Sequence, residues 1–98
     1  MKLKKFDAAE YIETPEDVVE FLSAAFESGD AGHIANALGI VARSRGMSQI
    51  AEAAGVTRAA LYKGFDASGD PKLSTILGVL RALGLQISLA PATPAEAA

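Results

Sequence analysis

Cysteine is absent and histidine occurs once. Without cysteine the chain has no disulfide scaffold, no thiolate zinc site, no thiol nucleophile and no iron–sulfur cluster. The single histidine, His33, has no evident set of co-ligands, and no nucleophile–base pair stands out elsewhere. No catalytic residue, metal ligand or cofactor is therefore assigned, and an enzyme is not expected. No window approaches the roughly 18 apolar residues that a bilayer-spanning helix requires. The opening MKLKKFDAAEYIE carries no long apolar run, so a signal peptide is not expected and the expected location is the cytoplasm.

What is present is globular. Half of the 98 residues are hydrophobic and 21% are charged, enough for one small domain and too few for two cores. A chain of this size buries only about two-thirds of the surface its unfolded form exposes, so a dimer partner would add useful stability. The net charge of −3 conceals an asymmetry. Residues 1–42 carry −5, residues 43–81 carry +3, and Glu96 adds the last negative charge. The basic half holds Arg43, Arg45, Arg58, Lys63, Lys72 and Arg81. Such a half is a mild pointer to a polyanion, with ordinary solvated charge as the plainer reading.

Local signals divide the chain. Residues 1–13 form an arm in which lysines alternate with Leu3 and Phe6, suiting either a short edge strand or a frayed end. Thr14-Pro15-Glu16-Asp17 is a helix start, and the spacing of Val18, Leu22 and Ala25 predicts a helix over about 15–28. Asp30 caps a second helix with the stripe Ile34, Leu38, Val41 and Ala42, ended by Gly46. Gly39 lies inside it, where glycine costs roughly 1 kcal/mol against alanine, so close packing is expected there. Two short helices come next, from Ser48 to Ala54 and from Arg58 to about Phe65. Turn chemistry over Asp66–Pro71 then leads to a final helix marked by Leu73, Ile76, Leu77, Leu80 and Leu83. Leu85, Ile87 and Leu89 alternate with polar residues and predict a strand, and the tail 90–98 is expected to be disordered. The expected fold class is all-α: five helices with short strand-like segments at both ends.

The stretch MSQIAEAAGVTRAALYK, residues 47–63, carries the functional pattern. Two short helices can cross steeply only where the residues at the crossing are small. Ala51 provides that contact, Gly55 the turn, Val56 and Leu61 the anchors, and Thr57 a cap for the second helix. This is the signature of a helix-turn-helix, here about 47–65 within a domain of residues 14–89. A plain pair of antiparallel helices is the alternative. A helix-turn-helix lays the start of its second helix across base edges in the major groove. Arg58 could fork onto a guanine and Ala59 could touch a thymine methyl. Thr57 and Tyr62 could donate to phosphate, and Ser48 and Gln49 open a helix whose free N–H groups suit one. Lys63 lies one turn on from Arg58. With Arg43, Arg45 and Lys72 from the same basic half, these are the candidate DNA-binding residues.

The segments FDAAEYIETPEDVVEFL, GDAGHIANALGIVARSRGMSQIAEAAGVTRAALYKGF and GDPKLSTILGVLRALGLQISL succeed one another from Phe6 to Leu89. In that order they resemble the addiction-module antidote family of small HigA-like antitoxins. Met47-Ser48-Gln49, Arg58 through Tyr62-Lys63, Asp70-Pro71 and Leu80 through Gly84 are the most specific pieces. The resemblance implies a lambda-repressor-like (XRE-type) fold that binds double-stranded DNA at the operator of its own operon; such operators are usually two-fold and one small domain offers few phosphate contacts, so a homodimer is expected. It also implies a cognate RelE/ParE-like or HigB-like toxin as partner. Carried over by residue, the DNA-reading positions are Ser48, Gln49, Thr57, Arg58, Ala59, Tyr62 and Lys63. Members often carry Ser or Arg after the proline of the last loop. Lys72 stands there instead, so the last helix is expected to be capped differently. A regulator without a toxin, or a helical interaction module that does not bind DNA, remains open.

Overall fold

Each helix but the third and the fifth begins where a side chain satisfies free backbone N–H groups. In the computed structural model, residues 12–92 are described, and they form α1 (Pro15–Glu27), α2 (Ala31–Arg45), α3 (Met47–Ala54), α4 (Arg58–Gly64) and α5 (Leu73–Ala82). The Thr14 hydroxyl accepts from the Asp17 N–H at 3.1 Å, and the Asp17 carboxylate accepts in return from the Thr14 N–H at 3.0 Å. Asp30 accepts from the His33 N–H and Thr57 from the Ala60 N–H. Lys72 stands at the N-cap of α5 and makes no side-chain cap bond, in keeping with the departure noted in the sequence. Gly55, at φ 74°, ends α3 in the left-handed region that glycine enters without strain, and the Val56 N–H returns to the Ala51 carbonyl.

The apolar stripes meet in one core. Val18, Leu22 and Ala25 of α1 join Leu38, Val41 and Ala42 of α2, Met47, Ile50 and Ala51 of α3, Leu61 of α4, and Val79 and Leu80 of α5. Phe65, just past α4, is the largest of the fully buried side chains. α1 packs on α2, while α3 packs on α5 and also touches α2 and α4. Leu73 and Leu77, which helped to mark α5 in the sequence, lie on its outer face, 66% and 39% exposed.

Gly39 has a tertiary reason. A Cβ there would collide with the carbonyl oxygen of Phe65, and a Cβ on Gly32 would meet that of Ala67. The two glycines are seven residues apart, about two turns of one helix, so they share a face. The chain leaving α4 lies flat along this track of α2.

The strand expected over 85–89 does not form; residues 85–92 carry no regular secondary structure. Leu85 is engaged in ending α5 instead. Gly84 turns at φ 77°, the Leu85 N–H bonds the Leu80 carbonyl at 2.8 Å, and the Leu85 side chain packs on the core. Residues 86–92 find no strand to pair with among the described residues, and Leu89 is 95% exposed. The strand-like reading of the N-terminal arm falls on residues 1–11 and most of the tail reading on 93–98, outside the described residues.

Two carboxylates give the fold an acid limit. The Thr14 N–H, and after it the Glu13 N–H, hold Asp17 below the ordinary carboxylate range. The Ser68 hydroxyl, and after it the Ser68 N–H, do the same for Asp66. A folded pKa below the unfolded one stabilises above the unfolded pKa, and that stabilisation is lost as pH falls through the folded value. Thermal unfolding should therefore show Tm falling once the pH drops below the ordinary aspartate pKa of about 3.9. Asp17→Asn should lower Tm at neutral pH and flatten the acid limb. A Tm that ignores pH throughout this window would contradict both assignments.

Candidate nucleic-acid interface

One open cleft gathers side chains from three helices. Its volume is about 520 Å³, and Arg43, Gly46, Met47, Ser48, Gln49, Arg58 and Tyr62 line it. Arg43 comes from the last turn of α2, Ser48 and Gln49 from the first turn of α3, and Arg58 and Tyr62 from α4. The convergence depends on Gly46, the single residue between α2 and α3, at φ 106°. Such a joint folds the start of α3 back beside the end of α2. The Gln49 amide lies against Gly46, with its oxygen 3.1 Å from where a Cβ would stand.

Five of the ten candidates thus share a wall, and the others stand apart. Arg45 borders a smaller cavity of about 380 Å³ with Ile50, Ala53 and Leu83, which shares only Gln49 with the cleft. Lys63 borders a third hollow beside Asp66, Ser68 and Asp70. Ala59 and Lys72 are exposed. Thr57 uses its oxygen to cap α4, accepting from the Ala60 N–H at 3.0 Å, while its hydroxyl proton is free to donate. Gly46 and Met47 line the cleft although sequence reasoning misses them as site residues. The only signal there is a glycine that reads as a helix stop and proves also to be the next helix's start.

The chemistry of the cleft is cationic and open. Arg43, Ser48, Gln49, Arg58 and Tyr62 are all exposed. The Arg58 guanidinium carbon stands 5.5 Å from the centre of the Tyr62 ring, within reach of a cation–π attraction. Its terminal nitrogen is 3.5 Å from the Tyr62 hydroxyl, the long limit of a hydrogen bond. Arg43 also favours the Asp66 carboxylate, as a minor contribution beside Ser68. Among the described residues no group of three or more His, Cys, Asp or Glu could hold a metal. No helix there is long and apolar enough to cross a membrane. What the cleft offers is a set of exposed donors and positive charge suited to phosphate oxygens and to acceptor edges of bases.

The chain matches the model of a family described as "Probable addiction module antidote protein" over residues 2–91. It is also similar to an uncharacterized protein of Haemophilus influenzae, with 39% identity over 88 residues that cover 90% of this chain and 91% of that protein. No solved structure matches it.

Proposed function

From the premise that the chain belongs to the family of probable addiction module antidote proteins, we propose that it is the antitoxin of a toxin–antitoxin pair and represses its own operon. In this reading it binds the operator through a HigA-like, lambda-repressor-like helix-turn-helix made of α3 and α4, as a homodimer. The observation that carries the DNA-binding part is the convergence of Arg43, Ser48, Gln49 and Arg58 on one exposed cleft at the start of α4. Arg58 is the first residue of α4, the position from which a recognition helix reaches base edges. Ser48 and Gln49, at the opening of α3, are placed for a phosphate.

Gel-shift titrations with DNA from upstream of the chain's own coding sequence test it. Arg58→Ala should cost roughly 1–3 kcal/mol of binding and relax discrimination at one base pair. Lys63→Ala should weaken all sequences alike and flatten the dependence of log affinity on log salt by about one unit. If neither substitution alters affinity, α4 is not a DNA reader and the helical interaction module becomes the better reading.

The toxin side draws on the acidic part of the chain. A basic RelE/ParE-like or HigB-like toxin would find its electrostatic complement on α1, where Glu16, Glu20 and Glu27 are exposed. Deleting α1 would be a poor test, because Val18, Leu22 and Ala25 belong to the core. Changing the three glutamates to lysine leaves that face intact and should weaken toxin binding by about tenfold or more, most strongly at low salt. Unchanged affinity in calorimetry would move the toxin contact off α1.

A further inference from the structure

We infer that Tyr62 is a specificity-determining residue that acts through Arg58, holding its guanidinium over the ring so that it meets a base edge and not the backbone. The inference rests on the DNA-binding reading above and concerns how that site discriminates. Arg58 and Tyr62 are four residues apart on α4, hence neighbours on one face, and side chains on a helix lean toward its N-terminus. Tyr62 therefore leans back onto Arg58, which places the guanidinium 5.5 Å from the ring centre and 3.5 Å from the hydroxyl.

Arg58 needs such a support. It is the first residue of α4, where the helix dipole is positive and disfavours a cation. Its side chain is exposed, and the only side-chain hydrogen bond it makes among the described residues is the one to Tyr62. An arginine left free at this point would sample many rotamers and settle against whichever phosphate lay nearest. The negative face of the ring offsets the dipole and reduces those rotamers in advance, so less ordering is left for the complex. A planar fork held in one orientation matches the paired acceptors of a guanine, whereas a phosphate accepts a cation from many directions. The ring brings no cation of its own, so any change in the number of phosphates neutralised on its removal must pass through Arg58.

A double-mutant cycle with the full chain tests this, on DNA from upstream of its coding sequence and on duplexes with each guanine of the protected region replaced in turn. Tyr62→Ala should weaken binding about two- to fivefold, the range expected for an exposed cation–π pair. It should relax discrimination at the same base pair as Arg58→Ala and steepen the salt slope by up to about one unit, as the freed guanidinium takes a phosphate. Tyr62→Phe, which keeps the ring, should restore most of that discrimination. In an Arg58→Ala background Tyr62→Ala should have no further effect. If Tyr62→Ala costs as much there as in the wild type, Tyr62 touches DNA by itself and the inference fails. If Arg58→Ala itself leaves affinity unchanged, the DNA-binding reading and this inference fall together. If Arg58→Ala matters and Tyr62→Ala does not, only this inference falls.

Discussion

Phe65→Ala is expected to lower the unfolding free energy by about 3–5 kcal/mol. Phe65 is the largest of the fully buried side chains and is 1% exposed. Its backbone is pinned as well, with its N–H bonded to the Leu61 carbonyl at 3.0 Å and its own carbonyl oxygen resting on Gly39. The surroundings therefore have little freedom to collapse into the space left by the ring, which places the cost toward the cavity-bearing end of the range. A domain of this size is typically stable by about 5–15 kcal/mol, so one substitution would remove a large fraction. Urea titration should show a lower midpoint with an unchanged slope. A loss below about 1 kcal/mol would mean that the core around Phe65 is not close-packed.

Leu61→Ala should cost about 2–5 kcal/mol, with part of the loss confined to α4. α4 is seven residues long, far too short to persist alone, and Leu61 is its one buried residue. The Thr57 cap holds the first turn, and within the helix only Leu61 is buried in the core. Removing its methyl groups should accelerate amide exchange across 58–64 more than across α2, besides lowering Tm. Because the same helix presents Arg58 and Tyr62, the proposed DNA-binding function predicts that affinity for DNA falls although neither exposed side chain has been touched. If exchange quickens equally in both helices, α4 opens only with the whole domain and Leu61 is not a local anchor.

The helices are legible in the sequence because their signals are local. Thr14 with Asp17, Asp30 and Thr57 each announce a start within four residues of chain, and the observed caps use those same atoms. Gly39 shows the opposite case. The sequence displays its local cost, and the compensating neighbour, the Phe65 carbonyl, lies 26 residues away, where no helical periodicity reaches. The pattern at 85–89 misleads for another reason: its first member, Leu85, is the hydrophobic anchor of a helix end, and a period of two built on it has no strand to support it.

The same division applies to the candidate site. Arg58 and Tyr62 can be paired from sequence, since residues four apart share a helix face. Arg43 and Arg45 cannot both face the cleft, because two residues turn a helix by about 200°. Which of the two would join Arg58 depends on the angle at Gly46, set by a glycine dihedral that no spacing rule predicts. Lys63 and Lys72, grouped with the others by charge alone, stand outside the cleft, and Lys63 borders the hollow formed by the loop between them.

The track formed by Gly32 and Gly39 has a consequence for engineering. If α4 is the DNA-reading helix proposed above, a designer wishing to retarget the chain would naturally transplant a foreign helix between Thr57 and Gly64. The residues that leave that helix do not merely connect it to α5, since the Phe65 and Ala67 carbonyls are seated on bare backbone of α2. A donor helix arriving with its own exit loop would lay bulkier or differently bent chain over the two glycines and lift away from them. A successful graft would keep residues 65–67 of the host, or import the donor's second helix together with its loop as one unit.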